Sequence, residues 1–170
     1  MAAKKYLSNL AGRIQEVIAT IVSAGAANDG DLVALDSTGR LDTSVMPVGI
    51  APEVTNAPAS ENLTGGNLVN VWNDSGTVRV RKADATTAGK EANGFVLAAV
   101  TSGATATVYH EGKNTGVSGL TPGARYYLST TAGGVVSTAP TGSGNVVQFI
   151  GHTTAAGELL FEPSEGFILA

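Results

Sequence analysis

The chain has 170 residues and a net charge of −4, and its composition excludes several classes of protein. It contains no cysteine, which rules out disulfide bonds, thiolate metal sites and cysteine catalysis. The acidic balance argues against a nucleic-acid partner. Only 14% of the residues are charged and 22 are glycine, which favours a β-rich protein that buries surface against other copies or a larger assembly. The alternative is a small β-protein that simply carries little charge.

Residues 4–24 carry apolar side chains at alternating spacings of three and four, which predicts an amphipathic α-helix. The spacing forms an a/d seam over three heptads, with isoleucine at two of the a positions. Three interpretations stay open: a self-associating and trimeric helix, a helix packed on its own domain, or an arm that orders only on a partner. The candidate interface residues of the seam are Leu7, Leu10, Ile14, Val17 and Ile21.

Residues 31–59 change from strand signals to a proline-rich segment. Two short strands are predicted around a turn at Asp36–Gly39. Residues 45–59 contain three prolines, which indicates a linker or an arm that could add a strand to a neighbour's sheet. We therefore predict an N-terminal region of residues 1–58 and a β-rich domain of residues 59–170. The interface candidates of the arm are Met46, Pro47 and Ile50.

From residue 60 onward, short strands and glycine-containing turns follow each other closely. Val78–Arg81 alternates valine with arginine, the clearest period-2 strand, and Phe95–Val100 is an apolar run that predicts a strand buried on both faces. Arg125–Leu128 and Val135–Thr138 flank paired glycines, which predicts a β-hairpin. The predicted fold class is mainly β: a compact sandwich-like or barrel-like domain of short antiparallel strands, with an N-terminal α-helix and an extended arm.

The sequence offers no arrangement typical of an enzyme. His110 and His152 are the only histidines and each lies near a strand end. The nucleophile, phosphate-loop and dinucleotide motifs are missing. We therefore predict no enzyme, no catalytic residue, no cofactor and no metal, and no apolar run approaches membrane-spanning length. Four aromatic residues are candidates for a sugar-stacking surface, or, as the more usual role, for core and interface anchors: Trp72, Tyr109, Tyr126 and Tyr127.

Several stretches of the sequence resemble stretches of known protein families. Residues 59–113 begin with A-x-E-x-L-x-x-G-x-L-V-x-V and end with GFVLAAVTSGATATVYHEG. Residues 118–138 read SGLTPGARYYLSTTAGGVVST and are followed by NVVQFIGH at residues 145–152. Together these stretches resemble the decoration, or capsid cement, proteins of tailed bacteriophages. The phrase VALDSTGRLDTSVMP, residues 33–47, resembles linker phrases of phage tail fibres instead.

The resemblance implies a β-tulip domain and a structural virion protein that stabilises the phage head. Such a protein is made in the host cytoplasm and binds the outer capsid surface, where it resists the internal pressure of the DNA. Its implied partners are the major capsid protein and further copies of itself, usually as a homotrimer at local three-fold positions, with no nucleic acid and no membrane. The alternative function is a tail-fibre or host-adhesion module that binds surface glycans. The helix at residues 4–24 is no part of the common tulip pattern.

Overall fold

The computed structural model describes residues 4–46 and 52–170. The chain divides into two compact units, Met1–Ala51 and Pro52–Ala170, which we call the N-terminal unit and the C-terminal unit. The sequence pattern predicts the boundary between residues 58 and 59. The C-terminal unit begins earlier than this because Val54–Pro58 is paired within its first sheet instead of belonging to an arm.

In the N-terminal unit, a β-hairpin occupies the place of the predicted helix. Strands β1 (Lys5–Leu10) and β2 (Arg13–Ile18) pair antiparallel through a two-residue turn. Ala11 (φ 52°) and Gly12 (φ 81°) both have positive φ, as a type I′ turn requires. The helix prediction for residues 4–24 was wrong, and with it the coiled-coil seam. Glycine and β-branched residues lower helix propensity, and the same residues suit a tight turn and paired strands.

The remainder of the N-terminal unit consists mainly of turns. Two short 3₁₀-helices, Gly25–Asn28 and Thr43–Val45, are its helical elements, and the described residues of the chain form no α-helix. Thr20 forms a parallel bridge with Val33. The turn predicted at Asp36–Gly39 is present, but the two strands predicted around it are reduced to the bridge at Val33.

The first sheet of the C-terminal unit has five antiparallel strands in the order β3-β7-β6-β4-β5. The alternating valines and arginines lie in β5, as predicted, whereas β6 is shorter than predicted because the chain bends away after Val96 and exposes residues 97–99. Ala59, directly after β3, forms a parallel bridge with Val80 of β5, so the two edge strands are joined at this point. The strands are β3 (Val54–Pro58), β4 (Leu68–Asp74), β5 (Thr77–Lys82), β6 (Gly94–Phe95) and β7 (Thr105–Tyr109).

The second sheet also has five antiparallel strands, in the order β10-β9-β12-β13-β8. The hairpin predicted around the paired glycines is present, since β9 pairs with β10. A separate pair, β11 with β14, lies outside both sheets. The strands are β8 (Gly112–Asn114), β9 (Arg125–Leu128), β10 (Val135–Val136), β11 (Val146–Val147), β12 (Phe149–Ala155), β13 (Glu158–Phe161) and β14 (Phe167–Ile168).

Two apolar clusters form the core of the C-terminal unit because successive side chains of a strand point to opposite faces. Leu68 of β4 belongs to the cluster between the two sheets, and its neighbour Val69 belongs to the cluster on the other face of the first sheet. Phe95 lies in the first cluster, with ring centroids 5.6 Å from Tyr109 and 5.4 Å from Phe161. The fold is thus mainly β, as predicted.

Candidate interaction surface

The two strands of the N-terminal hairpin present different side chains on their two faces. In an antiparallel pair, residues directly opposite each other lie on the same face. The register pairs Leu7 with Glu16, and Asn9 with Ile14. One face, which we call the aliphatic face, therefore carries Lys5, Leu7, Asn9, Ile14, Glu16 and Ile18.

The aliphatic face is open to solvent. Leu7 is 72% exposed, Ile14 is 67% exposed and Ile18 is 61% exposed. Leu7 lies diagonally between the two isoleucines, so the three side chains form one continuous patch. On the same face, Lys5 Nζ donates to Glu16 Oε2 at 2.7 Å. The patch is therefore apolar at its centre and carries one paired cation and anion.

Most of the other described residues of the N-terminal unit are also exposed. None of residues 4–9 and 11–46 is buried. Five further large aliphatic side chains of these residues are exposed: Val22, Leu32, Val33, Leu35 and Leu41. Burial of apolar surface is the dominant stabilising contribution to folding. Little of that contribution is made within the N-terminal unit, so its apolar side chains are available to a partner.

Hydrogen bonds to aspartate carboxylates, and not a buried apolar core, hold the described loops of the N-terminal unit. Asp36 Oδ1 accepts from the N–H of Thr38 at 2.7 Å and of Arg40 at 3.0 Å. These bonds hold the pKa of Asp36 below its ordinary value. The bond from Arg40 has the largest effect, followed by the bonds from Thr38. Asp31 and Asp42 also have lowered pKa values because hydroxyl, amide or backbone groups nearby donate to them.

A cavity of about 390 Å³ lies among these loops. Asp31 lines it, but its Oδ2 atom accepts from Thr20 Oγ1 at 2.6 Å and from Asn28 Nδ2 at 2.8 Å. In the described part of the chain, no three His, Cys, Asp or Glu side chains come together as a metal site would require. The cavity therefore offers no assembled set of charged ligands.

The predicted interface residues that the structure describes lie in several different places. Leu7 and Ile14 lie together on the aliphatic face, whereas Val17 lies on the opposite face, opposite Tyr6, and is half-buried. Leu10 pairs with Arg13 beside the turn. Ile21 and Met46 are half-buried, Met46 at the cavity, and Pro47 and Ile50 lie outside the described residues.

Ile18 belongs to the aliphatic face and was missed as an interface residue. A helical reading treats it as a residue that widens the apolar stripe. Its position is recognisable from the alternation Ile14, Glu16, Ile18, which is the period of a strand.

The histidines of the C-terminal unit make structural contacts. His110 Nδ1 lies 2.7 Å from the carbonyl oxygen of Asn93, and its Nε2 lies 2.8 Å from Thr55 Oγ1. Both ring nitrogens are thus engaged with groups of the fold, and His152 lies 3.9 Å from a carboxylate oxygen of Glu162.

The four aromatic side chains considered for sugar stacking do not form one surface. Tyr126 is buried and its hydroxyl accepts from the N–H of Thr121 at 3.0 Å. The guanidinium of Arg81 lies 4.5 Å from the centre of the Trp72 ring and covers that side of it. Tyr109 packs on Phe95 in the core, and Tyr127 packs edge-on against Phe149.

Comparison of the chain with known protein families and with curated protein sequences found no match in either case. Within residues 4–46 and 52–170, no helix has the length and apolar character that crossing a bilayer would take.

Proposed function

We propose that the chain is a structural protein of a phage virion, which binds the outer surface of the capsid and stabilises it as a decoration or cement protein. Its partners are the major capsid protein and other copies of the same chain. In this role it catalyses no reaction, and each bound copy contributes one weak contact among many.

The observation that carries the proposal is the exposed apolar surface of the N-terminal unit. Among residues 4–9 and 11–46, eight large aliphatic side chains are exposed and no residue is buried. Soluble monomers rarely expose continuous apolar patches of this kind unless they form an interaction site. The N-terminal unit therefore has the properties of a segment whose apolar side chains become buried only when the protein binds to the capsid.

The C-terminal unit supplies a folded domain that carries the N-terminal binding segment. The Ala59–Val80 bridge joins the two edge strands of the first sheet, and Val69, Val96 and Val108 pack on one face of that sheet. This arrangement supports a barrel-like domain of the β-tulip kind. A sheet whose edges are joined offers few free main-chain groups to unwanted partners.

Stabilisation of the capsid follows from the number of contacts. Each copy buries a limited apolar area, and the cost of association leaves only a small net binding free energy per copy. Separation of neighbouring capsid subunits would break the contacts of many bound copies at once, which makes the sum large although each fastening is weak.

Binding to capsids tests the proposal. Purified protein is mixed with expanded capsids that lack it and with unexpanded capsids, and the bound copies are counted after sedimentation. We expect saturable binding to the expanded capsids, and weaker binding by a variant that lacks residues 2–24, because this deletion removes the aliphatic face. Unchanged occupancy by that variant would contradict the role of the hairpin, and no binding by the full chain would contradict the function.

A further inference from the structure

We propose that the aliphatic face of the hairpin docks against the same face of another copy of this chain, and that this contact makes binding to the capsid cooperative. The second part rests on the proposed function, whereas the contact between copies can be measured in solution.

The orientation of the hairpin is the first argument. Its half-buried side chains, Tyr6, Ser8 and Val17, lie on the face opposite the aliphatic face. The exposed Leu7, Ile14 and Ile18 are consequently left without a packing partner among the described residues. A two-stranded hairpin is marginally stable alone, so packing of its free face against another layer stabilises it.

The charges on the aliphatic face are compatible with a second copy as the partner, because Lys5 and Glu16 pair with each other at 2.7 Å and leave the face close to neutral. It carries one cation and one anion, Lys5 and Glu16, whose side chains are 50% and 60% exposed. A strongly acidic or basic partner would leave one of the two facing a like charge. A second copy presents the same pair, so Lys5 of one copy can meet Glu16 of the other.

The size of the patch predicts how strong this contact is. A stable pair of proteins buries about 800 Å² on each partner. Three aliphatic side chains supply only a part of that area, so the copies should associate weakly in dilute solution. Binding to neighbouring sites on a capsid raises their effective concentration, and the contact then becomes significant. Cooperative binding is the expected result.

Charge reversal tests the identity of the partner. Lys5→Glu leaves two anions on the aliphatic face and Glu16→Lys leaves two cations, while an exposed ion pair contributes little to folding. Sedimentation velocity over a range of concentrations should show each variant alone associating at least about tenfold more weakly than the unaltered chain. An equimolar mixture of the two should recover most of the association, because opposite charges then meet.

A matched pair of variants tests the apolar part. Ile14→Asp places a charge on the aliphatic face, and Gln15→Asp places the same charge on the opposite face of the same strand. We expect Ile14→Asp to abolish self-association and make the capsid binding curve hyperbolic. Gln15→Asp should leave both unchanged, with equal far-UV circular dichroism spectra showing that both variants are folded.

The outcomes separate this inference from the proposed function. Capsid binding without cooperativity, together with a mixture that associates no better than its components, would overturn the inference and leave the function intact. Recovered association in the mixture without any capsid binding would support the contact between copies and overturn the function. A chain that stays monomeric at the highest attainable concentration would also overturn the inference.

Discussion

Gly66 and Gly116 bring two loops of the C-terminal unit into backbone contact. Gly66 has φ +89°, and its N–H donates to the carbonyl oxygen of Val96 at 2.7 Å. Its own carbonyl oxygen accepts from Asn114 Nδ2 at 2.9 Å. A β-carbon added at Gly66 would overlap the carbonyl group of Gly116. Glycine is required here both for its conformation and for the close approach.

The variant Gly66→Ala should therefore lower the free energy of unfolding by more than about 3 kcal/mol. Gly76→Ala is the matched control, because Gly76 has a similar φ of +93° and nothing within 4 Å of the added atom. It should cost only about 1–2 kcal/mol. Urea unfolding followed by the fluorescence of Trp72, the single tryptophan, measures both. Equal losses would contradict the close approach.

Gln148 joins two segments of the C-terminal unit through its buried amide group. Its Oε1 atom accepts from the N–H of Ala92 at 2.8 Å, and its Nε2 atom donates to the carbonyl oxygens of Ala92 at 2.9 Å and Ser164 at 3.0 Å. Ala92 is itself only 3% exposed. Loss of the amide would leave two buried main-chain groups without partners.

We predict that Gln148→Leu lowers the free energy of unfolding by about 2–4 kcal/mol, because unpaired buried polar groups are costly. Gln15→Leu makes the same chemical change at an exposed position in the other unit and should leave this transition within about 0.5 kcal/mol. The same urea titration measures both variants. A loss below about 1 kcal/mol for Gln148→Leu would show that the buried amide network is not maintained.

The carboxylate of Asp36 predicts a local response to acid. Because hydrogen bonds lower its pKa in the folded chain, the stabilisation that they provide is complete above the ordinary pKa of an aspartate. It is lost as the pH falls through the folded pKa, which the hydrogen bonds hold below the ordinary value. The amide proton shifts of Thr38 and Arg40 should therefore change in this acid range. In Asp36→Asn the change should disappear, and a change that persists would assign the effect to another group.

At the scale of the element, the turn of the N-terminal hairpin is its weakest local feature. Ala11 has a positive φ, which costs an alanine about 1–2 kcal/mol, whereas asparagine followed by glycine is the preferred type I′ sequence. Ala11→Asn should stabilise the hairpin by about 0.5–1 kcal/mol and slow hydrogen exchange in β1 and β2. Ala11→Val should have the opposite effect, because a branched side chain tolerates positive φ poorly. A gain of helical circular dichroism in either variant would contradict the hairpin.

The hairpin also shows where sequence patterns become ambiguous. Apolar residues at 7, 10, 14, 17 and 21 satisfy a helical period, yet Ile14, Glu16 and Ile18 satisfy a strand period. Gly12 favours the hairpin over the helix, because it completes a two-residue turn that brings Lys5 opposite Ile18. A pattern read along one strand contains no information on its cross-strand partner, so the exposed aliphatic face could not be recognised as one surface.

Elements with unambiguous local signals were predicted well. β5 was recognised by its strict alternation, and the β9–β10 hairpin by its paired glycines. The apolar run Phe95–Val100 was interpreted wrongly beyond its first residues, because Leu97 is 39% exposed in a bend. Composition cannot distinguish a buried apolar residue from one held at the surface for a partner. The assignment of Val54–Pro58 to the first sheet likewise depended on its distant partner strand β7.

At the scale of the whole molecule, the two units differ in how they are stabilised. The C-terminal unit has two apolar clusters and buried amide groups that are hydrogen-bonded, such as those of Gln148 and Asn114. In the N-terminal unit, none of residues 4–9 and 11–46 is buried. The C-terminal unit is thus stabilised by its own core, whereas we propose that the N-terminal unit is stabilised by assembly. This difference fits the proposed role of a capsid decoration protein.

The stability of the capsid tests this account most directly. DNA-filled capsids that lack the protein are heated in the presence and absence of saturating amounts of it, and the temperature at which DNA is released is recorded. The account predicts that the full chain raises this temperature and that the variant lacking residues 2–24 raises it less. A release temperature that the full chain leaves unchanged would contradict it.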